Sequence, residues 1–189
     1  MDITTGLFLG AGLAAAVGFR VFVPFLLMGI AARFELIPLV EGMEWMGTTP
    51  ALIAFGTATL LELGAYFIPW LDNALDTVTT PAAFLGGSVM MYSTVGDMDP
   101  LFQWATAIIA GGGTAGVVKG STVTTRLAST ATTGGIANPL LAGVETVGAI
   151  SLSILAPIIP VVVGVIVLLI VTFAIWRIVK WRQRRRRAV

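Results

Sequence analysis

The residues best suited to chemistry in this sequence are charged side chains set where charge is expensive. Arg20, Glu62 and Glu145 each fall near the middle of an apolar stretch. An ionised group at a bilayer centre costs roughly 2.5–3.5 kcal/mol on insertion scales, so such residues face the bundle interior and find a partner. Two chemistries fit: an internal Arg–Glu pair that fixes helix packing, or Arg20 holding an anionic group while Glu62 or Glu145 accepts a proton or cation. Asp72 and Asp76 are spaced i,i+4, so both carboxylates share a face if the segment is helical, with Thr77, Thr79 and Thr80 nearby. Hard cations take all-oxygen sites of this kind, and a solvated helix cap accounts for the same residues. The third candidate is the polar segment 119–137, where Ser121, Thr122, Thr124, Thr125 and further hydroxyls surround Lys119 and Arg126 ahead of Gly134-Gly135 and Asn138. Hydroxyls, cations and glycine-exposed amides compose an anion cradle; the bland alternative is an ordinary loop.

The elements that must position these residues are membrane spans. Of 189 residues 57% are hydrophobic and 11% charged, too little polar surface for a water-soluble domain of this size. Cysteine and histidine are absent, which removes disulfides, thiol nucleophiles, zinc and haem sites and imidazole chemistry. No catalytic constellation, metal site or cofactor is expected, and the chain does not read as an enzyme. The residues after Met1 carry no positive n-region, so they read as the start of the first span rather than a removed signal.

About 20 apolar residues cross a bilayer, and six candidate spans satisfy or approach that length: 6–32, broken by Arg20 and Pro24; 50–70; a short, glycine-containing 81–95, either a crossing or re-entrant; 101–118; and two within 139–177, hinged near Pro157 and Pro160. Gly6, Gly10, Ala14 and Gly18, and likewise Gly112, Gly116 and Gly120, recur every four residues as packing seams, or as thin walls of a cavity. The net charge of +1 hides an asymmetry, since seven of eleven cations lie in the last thirteen residues. By the enrichment of Lys and Arg in cytoplasmic segments, six spans put both termini and segment 119–137 inside. The tail 179–189, with Arg182 and Arg184 to Arg187, suits anionic headgroups and carries no nucleic-acid signature. Gly12 to Arg20 resembles Gly111 to Lys119, and Thr49-Pro50 parallels Asn138-Pro139, which suggests halves 1–96 and 97–178 related as a 3+3 inverted repeat of the transporter type.

Two segments carry a family resemblance: Ile68-Pro69-Trp70-Leu71-Asp72-Asn73-Ala74-Leu75-Asp76, and the run from Arg126 through Gly134-Gly135 to Asn138-Pro139. With Gly18-Phe19-Arg20 to Pro24, they resemble DUF4126, a family of small bacterial membrane proteins of unknown function. The resemblance implies membrane placement and supplies no activity. The family pattern has Arg where this chain has Thr80, and a charged pair where it has Tyr66-Phe67.

The expectation is therefore an all-α polytopic bundle of one domain, 1–178, in the inner membrane, and a permease or channel-like role. Arg20, Lys119, Arg126 or Asn138 would meet an anionic ligand, with Glu62 or Glu145 for proton coupling. Rival readings are a cation carrier using Glu62, Asp72, Asp76 and Glu145, and a scaffold, homo-oligomeric or accessory, that joins helices through its glycine seams.

Overall fold

The fold is that of a computed structural model, which describes residues 2–65, 69–96 and 98–186; the side chains of 69–74, 76, 178, 181, 182 and 184–186 lie outside the description. Among the described residues all regular structure is helical: α1 (Ile3–Phe19), α2 (Phe22–Arg33), a 3₁₀ turn (Glu44–Gly47), α3 (Thr49–Gly64), α4 (Pro69–Thr94), α5 (Pro100–Thr106), a π segment (Ala107–Gly112), α6 (Gly113–Thr133), α7 (Asn138–Ile158) and α8 (Pro160–Arg186). Three stretches are long and apolar enough to cross a membrane, Pro100–Thr133, Asn138–Ile158 and Pro160–Arg177, and α1, α2 and α3 are shorter apolar helices.

α1 is the axis of the molecule. Gly6 and every residue of 9–18 are buried, as expected of a helix apolar on all sides, and α4, α6, α7 and α8 surround it. Its glycines are the contact points. Gly6 and Gly10 meet Thr94 and Met91 of α4, and Gly18 meets Ala115 and Val118 of α6. The seam of small residues is thus used for close helix approach. Among the later glycines, Gly111 abuts the backbone of Gly87, whereas nothing lies within 4 Å of a Cβ at Gly120.

The helix directions follow from these contacts. Gly6 to Thr94 and Val17 to Gly86 make α4 antiparallel to α1. Gly86 faces both Val17 and Phe25, residues that a straight helix would hold about 12 Å apart. The chain therefore reverses at Arg20, and α1 and α2 form a hairpin rather than one interrupted span. Loop 34–43 lies back beside the start of α1, where the Val40 N–H donates to the Ser93 carbonyl at 3.1 Å. α6 runs with α1, since Thr114 shares a cavity with Leu7 and Ala11 while Val118 meets Gly18. α7 runs against α1, with Ala156 at Gly12 and Gly148 at Phe19. α8 runs with it, from Val163 at Gly12 to Val171 beside Phe19.

Two expectations fail on this geometry. α1 starts and α8 finishes at opposite ends of the bundle, where both were expected on one side, because the hairpin at Arg20 adds a reversal that a single first span lacks. Asp2, Glu35, Glu41, Glu44 and Asp99 gather at the α1 start, while Arg177 and Lys180 lie at the other end, stacked near Phe173 (6.0 Å) and Trp176 (4.5 Å) respectively. The glycine runs before Arg20 and Lys119 also point the same way, so no two-fold axis in a membrane plane relates them.

Boundaries shift for local reasons. Segment 119–137 is not a loop: α6 continues to Thr133, and its hydroxyls are satisfied by carbonyls one turn back, Ser121 by Val117 (2.8 Å), Thr124 by Gly120 (2.7 Å) and Thr125 by Ser121 (2.9 Å). Such back-bonding lets Ser and Thr sit within a helix. Gly134, in the left-handed region at φ 65°, then ends it. α4 begins at Pro69 and carries Pro81 in its interior, so the third span is longer than hydropathy indicated. α3 stops at Gly64, short of residue 70. The hinge between α7 and α8 falls at Ile159, between the two prolines named from the sequence.

Candidate functional site

The break between α1 and α2 creates the site. Arg20 is extended (φ −142°, ψ 123°) and ends α1, and Pro24 falls in the first turn of α2, where a missing N–H costs nothing. Reversal frees the first amides of α2, which must be satisfied in an apolar interior. Glu62 satisfies them: Oε1 accepts from Val21 N at 2.9 Å and Oε2 from Phe22 N at 3.1 Å. A carboxylate at a helix N-terminus also complements the macrodipole. Glu62 is thus a tethered anion capping α2.

Arg20 turns the other way, to α7. Its Nη2 donates to the Ala142 carbonyl at 3.1 Å and lies 3.3 Å from Glu145 Oε2. Arg126 of α6 clasps the same carboxylate from a second direction, donating Nε to Oε1 at 3.1 Å and Nη2 to Oε2. This bidentate fork is the strongest geometry an Arg–carboxylate pair has. Relative exposures of 4% for Arg20, 5% for Glu62, 5% for Lys119, 6% for Arg126 and 6% for Glu145 place all five in the interior. Lys119, Thr122 and Arg126 follow one buried face of α6 at i, i+3 and i+7.

Beside Glu145 lies a cavity of about 240 Å³ between α6, α7 and α8, walled by Phe19, Val118, Leu141, Val144 and Val171, with Ser121, Thr122 and Thr125 on one side. A second cavity, of about 530 Å³, opens at the acidic end and is lined by Val40, Glu41, Tyr92, Thr94 and Gln103.

Of the sequence candidates, Arg20, Arg126 and Glu145 come together, with Lys119 on the same face as Arg126. Glu62 is one helix terminus away and serves backbone. Asn138 does not join them: its Nδ2 donates to Thr130 Oγ1 at 3.0 Å in the α6–α7 turn. The expected cradle of hydroxyls and glycine amides is likewise not formed, since those hydroxyls are spent on their own helix. The side chains of Asp72 and Asp76 lie outside the described residues, and among the described residues no group of three or more His, Cys, Asp or Glu could hold a metal. Sequence reasoning missed the Ala142 carbonyl and the capping role of Glu62. Only Pro24, three residues after the turn's end, signalled the new helix start.

A family profile, Domain of unknown function (DUF4126), matches residues 7–180. The chain belongs to this family. The match spans the whole DUF4126 bundle from α1 into α8 and includes every residue of the charged cluster. No curated protein and no solved structure is significantly similar to this DUF4126 chain.

Proposed function

We propose that this protein is a small integral membrane permease for an anionic ligand, with Arg20, Arg126 and Glu145 as its central site. The observation that carries this reading is one interior carboxylate shared by guanidiniums from two different helical hairpins, beside a cavity. Packing alone does not call for it, because apolar residues of similar volume stabilise as well or better than a buried ion pair. A ligand anion reaching Arg126 replaces Glu145, which takes a proton as it leaves, so that proton and anion move together. Lys119 adds a cation along the same face.

The basic end, with Arg177, Lys180 and the arginine tail against anionic lipid, faces the cytoplasm of an inner membrane by charge bias. The acidic end, with the N-terminus, faces out. The inverted reading passes instead to α2–α3–α4 and α6–α7–α8, whose members run in opposite senses, so that the Thr49-Pro50 and Asn138-Pro139 starts correspond.

The experiment is flux into proteoliposomes against panels of anions and cations, with and without a pH gradient. Anion flux driven by inward acid, and lost in Glu145→Gln, is expected. Cation flux alone would favour the carrier built on Asp72, Asp76 and the glutamates. No flux from folded protein would favour the scaffold, the reading to which the glycine seams of α1 lend support.

A further inference from the structure

The cavity beside Glu145 has a chemistry of its own. Apart from three hydroxyls and the Glu145 carboxylate, its walls are hydrocarbon from α1, α6, α7 and α8. The hydroxyl protons are not free to bind an anion, because Ser121, Thr122 and Thr125 all donate to backbone carbonyls of α6. At its rim stand Val144 and Ile170, 62% and 58% exposed on the outer apolar surface of the bundle. The mouth therefore opens sideways, toward the surface that lipid would cover, and the buried Glu145 is among the residues that line the interior. At about 30 Å³ per water-sized group, 240 Å³ holds roughly eight such groups, too much apolar space for an inorganic ion.

From this arrangement we infer that the ligand is a small amphipathic organic acid, of the length of a six-carbon carboxylate, which enters through the gap between α7 and α8 and lodges its chain in this cavity. The inference deepens the permease reading and rests on its Arg126–Glu145 site. The acid arrives neutral. Its carboxyl proton passes to a Glu145 oxygen, and the resulting carboxylate takes the Arg126 fork that Glu145 releases, so one proton moves and one ion pair replaces another of the same kind. The charged groups facing Glu145 among the described side chains are Arg20 from the α1–α2 turn and Arg126 of α6, with Lys119 two turns along; α8 offers Ile170, Val171 and Ala174. A like-for-like exchange suits that interior, because no charge is added to it.

The test is equilibrium binding of hexanoate, acetate, chloride and hexylamine to the full chain in nanodiscs, alongside flux in proteoliposomes. Hexanoate is expected to bind best, about tenfold more weakly for each unit rise in pH above its own titration, because each bound ion brings in one proton. Val144→Trp, at the exposed rim, should abolish hexanoate binding and leave folding intact, read as an unchanged thermal melt. Glu145→Gln should remove the pH slope. Equal binding of hexylamine, or hexanoate binding unaffected by Val144→Trp, overturns the inference. Proton-linked flux of chloride or acetate without hexanoate binding overturns it while the permease stands, and loss of all flux with hexanoate still bound at this cavity sinks the permease alone.

Discussion

Glu62 and Glu145 are the same residue type, equally buried, each on the middle helix of a three-helix run, and they do different work. Glu62 is held by two consecutive amides of a helix start. Those donors belong to the backbone and cannot leave without unwinding α2. Glu145 is held by two side chains, Arg20 and Arg126, which rotamer changes can redirect. An interior carboxylate satisfied by backbone is fixed with its helix, and one satisfied by guanidiniums is held by side chains that can move. That difference separates a helix cap from a candidate binding group more clearly than burial or charge does.

The comparison breaks most sharply on truncation. Glu145→Ala removes the carboxylate that Arg20 and Arg126 share in the interior, and removal of one partner from a buried pair costs about 3–5 kcal/mol; unfolding in SDS or by heat in detergent reads it. Adding Arg126→Leu to Glu145→Leu should recover much of that loss, and a double variant as unstable as the single would show that Arg20 dominates the cluster.

Glu62→Gln should cost less, about 1.5–3 kcal/mol, since the amide still accepts one N–H but gives up the charged acceptor for the other. The sharper readout is local: amide exchange at Val21 and Phe22 should rise while the rest of α1 stays protected. Uniform loss of protection would mean that Glu62 supports the bundle as a whole.

Glycine substitutions extend the contrast to packing. A Cβ at Gly18 would come 2.6 Å from Val118 Cβ and 2.7 Å from the Ala115 carbonyl, so Gly18→Ala should destabilise by about 1–3 kcal/mol through overpacking. Gly120→Ala meets nothing within 4 Å and should be neutral or stabilising by about 0.5–1 kcal/mol from helix propensity. Thermal melts of both would show whether the second seam packs like the first.

The smallest effect on stability, and the most direct test of the hairpin, comes from single cysteines at exposed positions. Leu36→Cys and Asp2→Cys should be labelled from one side of sealed vesicles and Ala131→Cys from the other. Labelling of Asp2→Cys together with Ala131→Cys would restore a straight first span.

The sequence by itself determined that the chain is helical and apolar, where proline and glycine start and end several helices, and that Arg20, Glu62 and Glu145 fall inside apolar stretches. Each of these follows from local chemistry: Thr48-Thr49-Pro50 and Asp99-Pro100 set caps that act within one turn, and a lone charge in an apolar run is costly wherever it sits. Pairing was decided by the tertiary structure alone. Whether Arg20 met Glu62 or Glu145 depended on the reversal at residue 20, and nothing local distinguishes a kink from a hairpin when the amides are satisfied by a carboxylate 41 positions away. The helix through Lys119 and Arg126 was hidden for a related reason. Its hydroxyls read as loop composition until they are seen to bond their own backbone, which turns the two cations onto one inward face and brings Arg126 to Glu145.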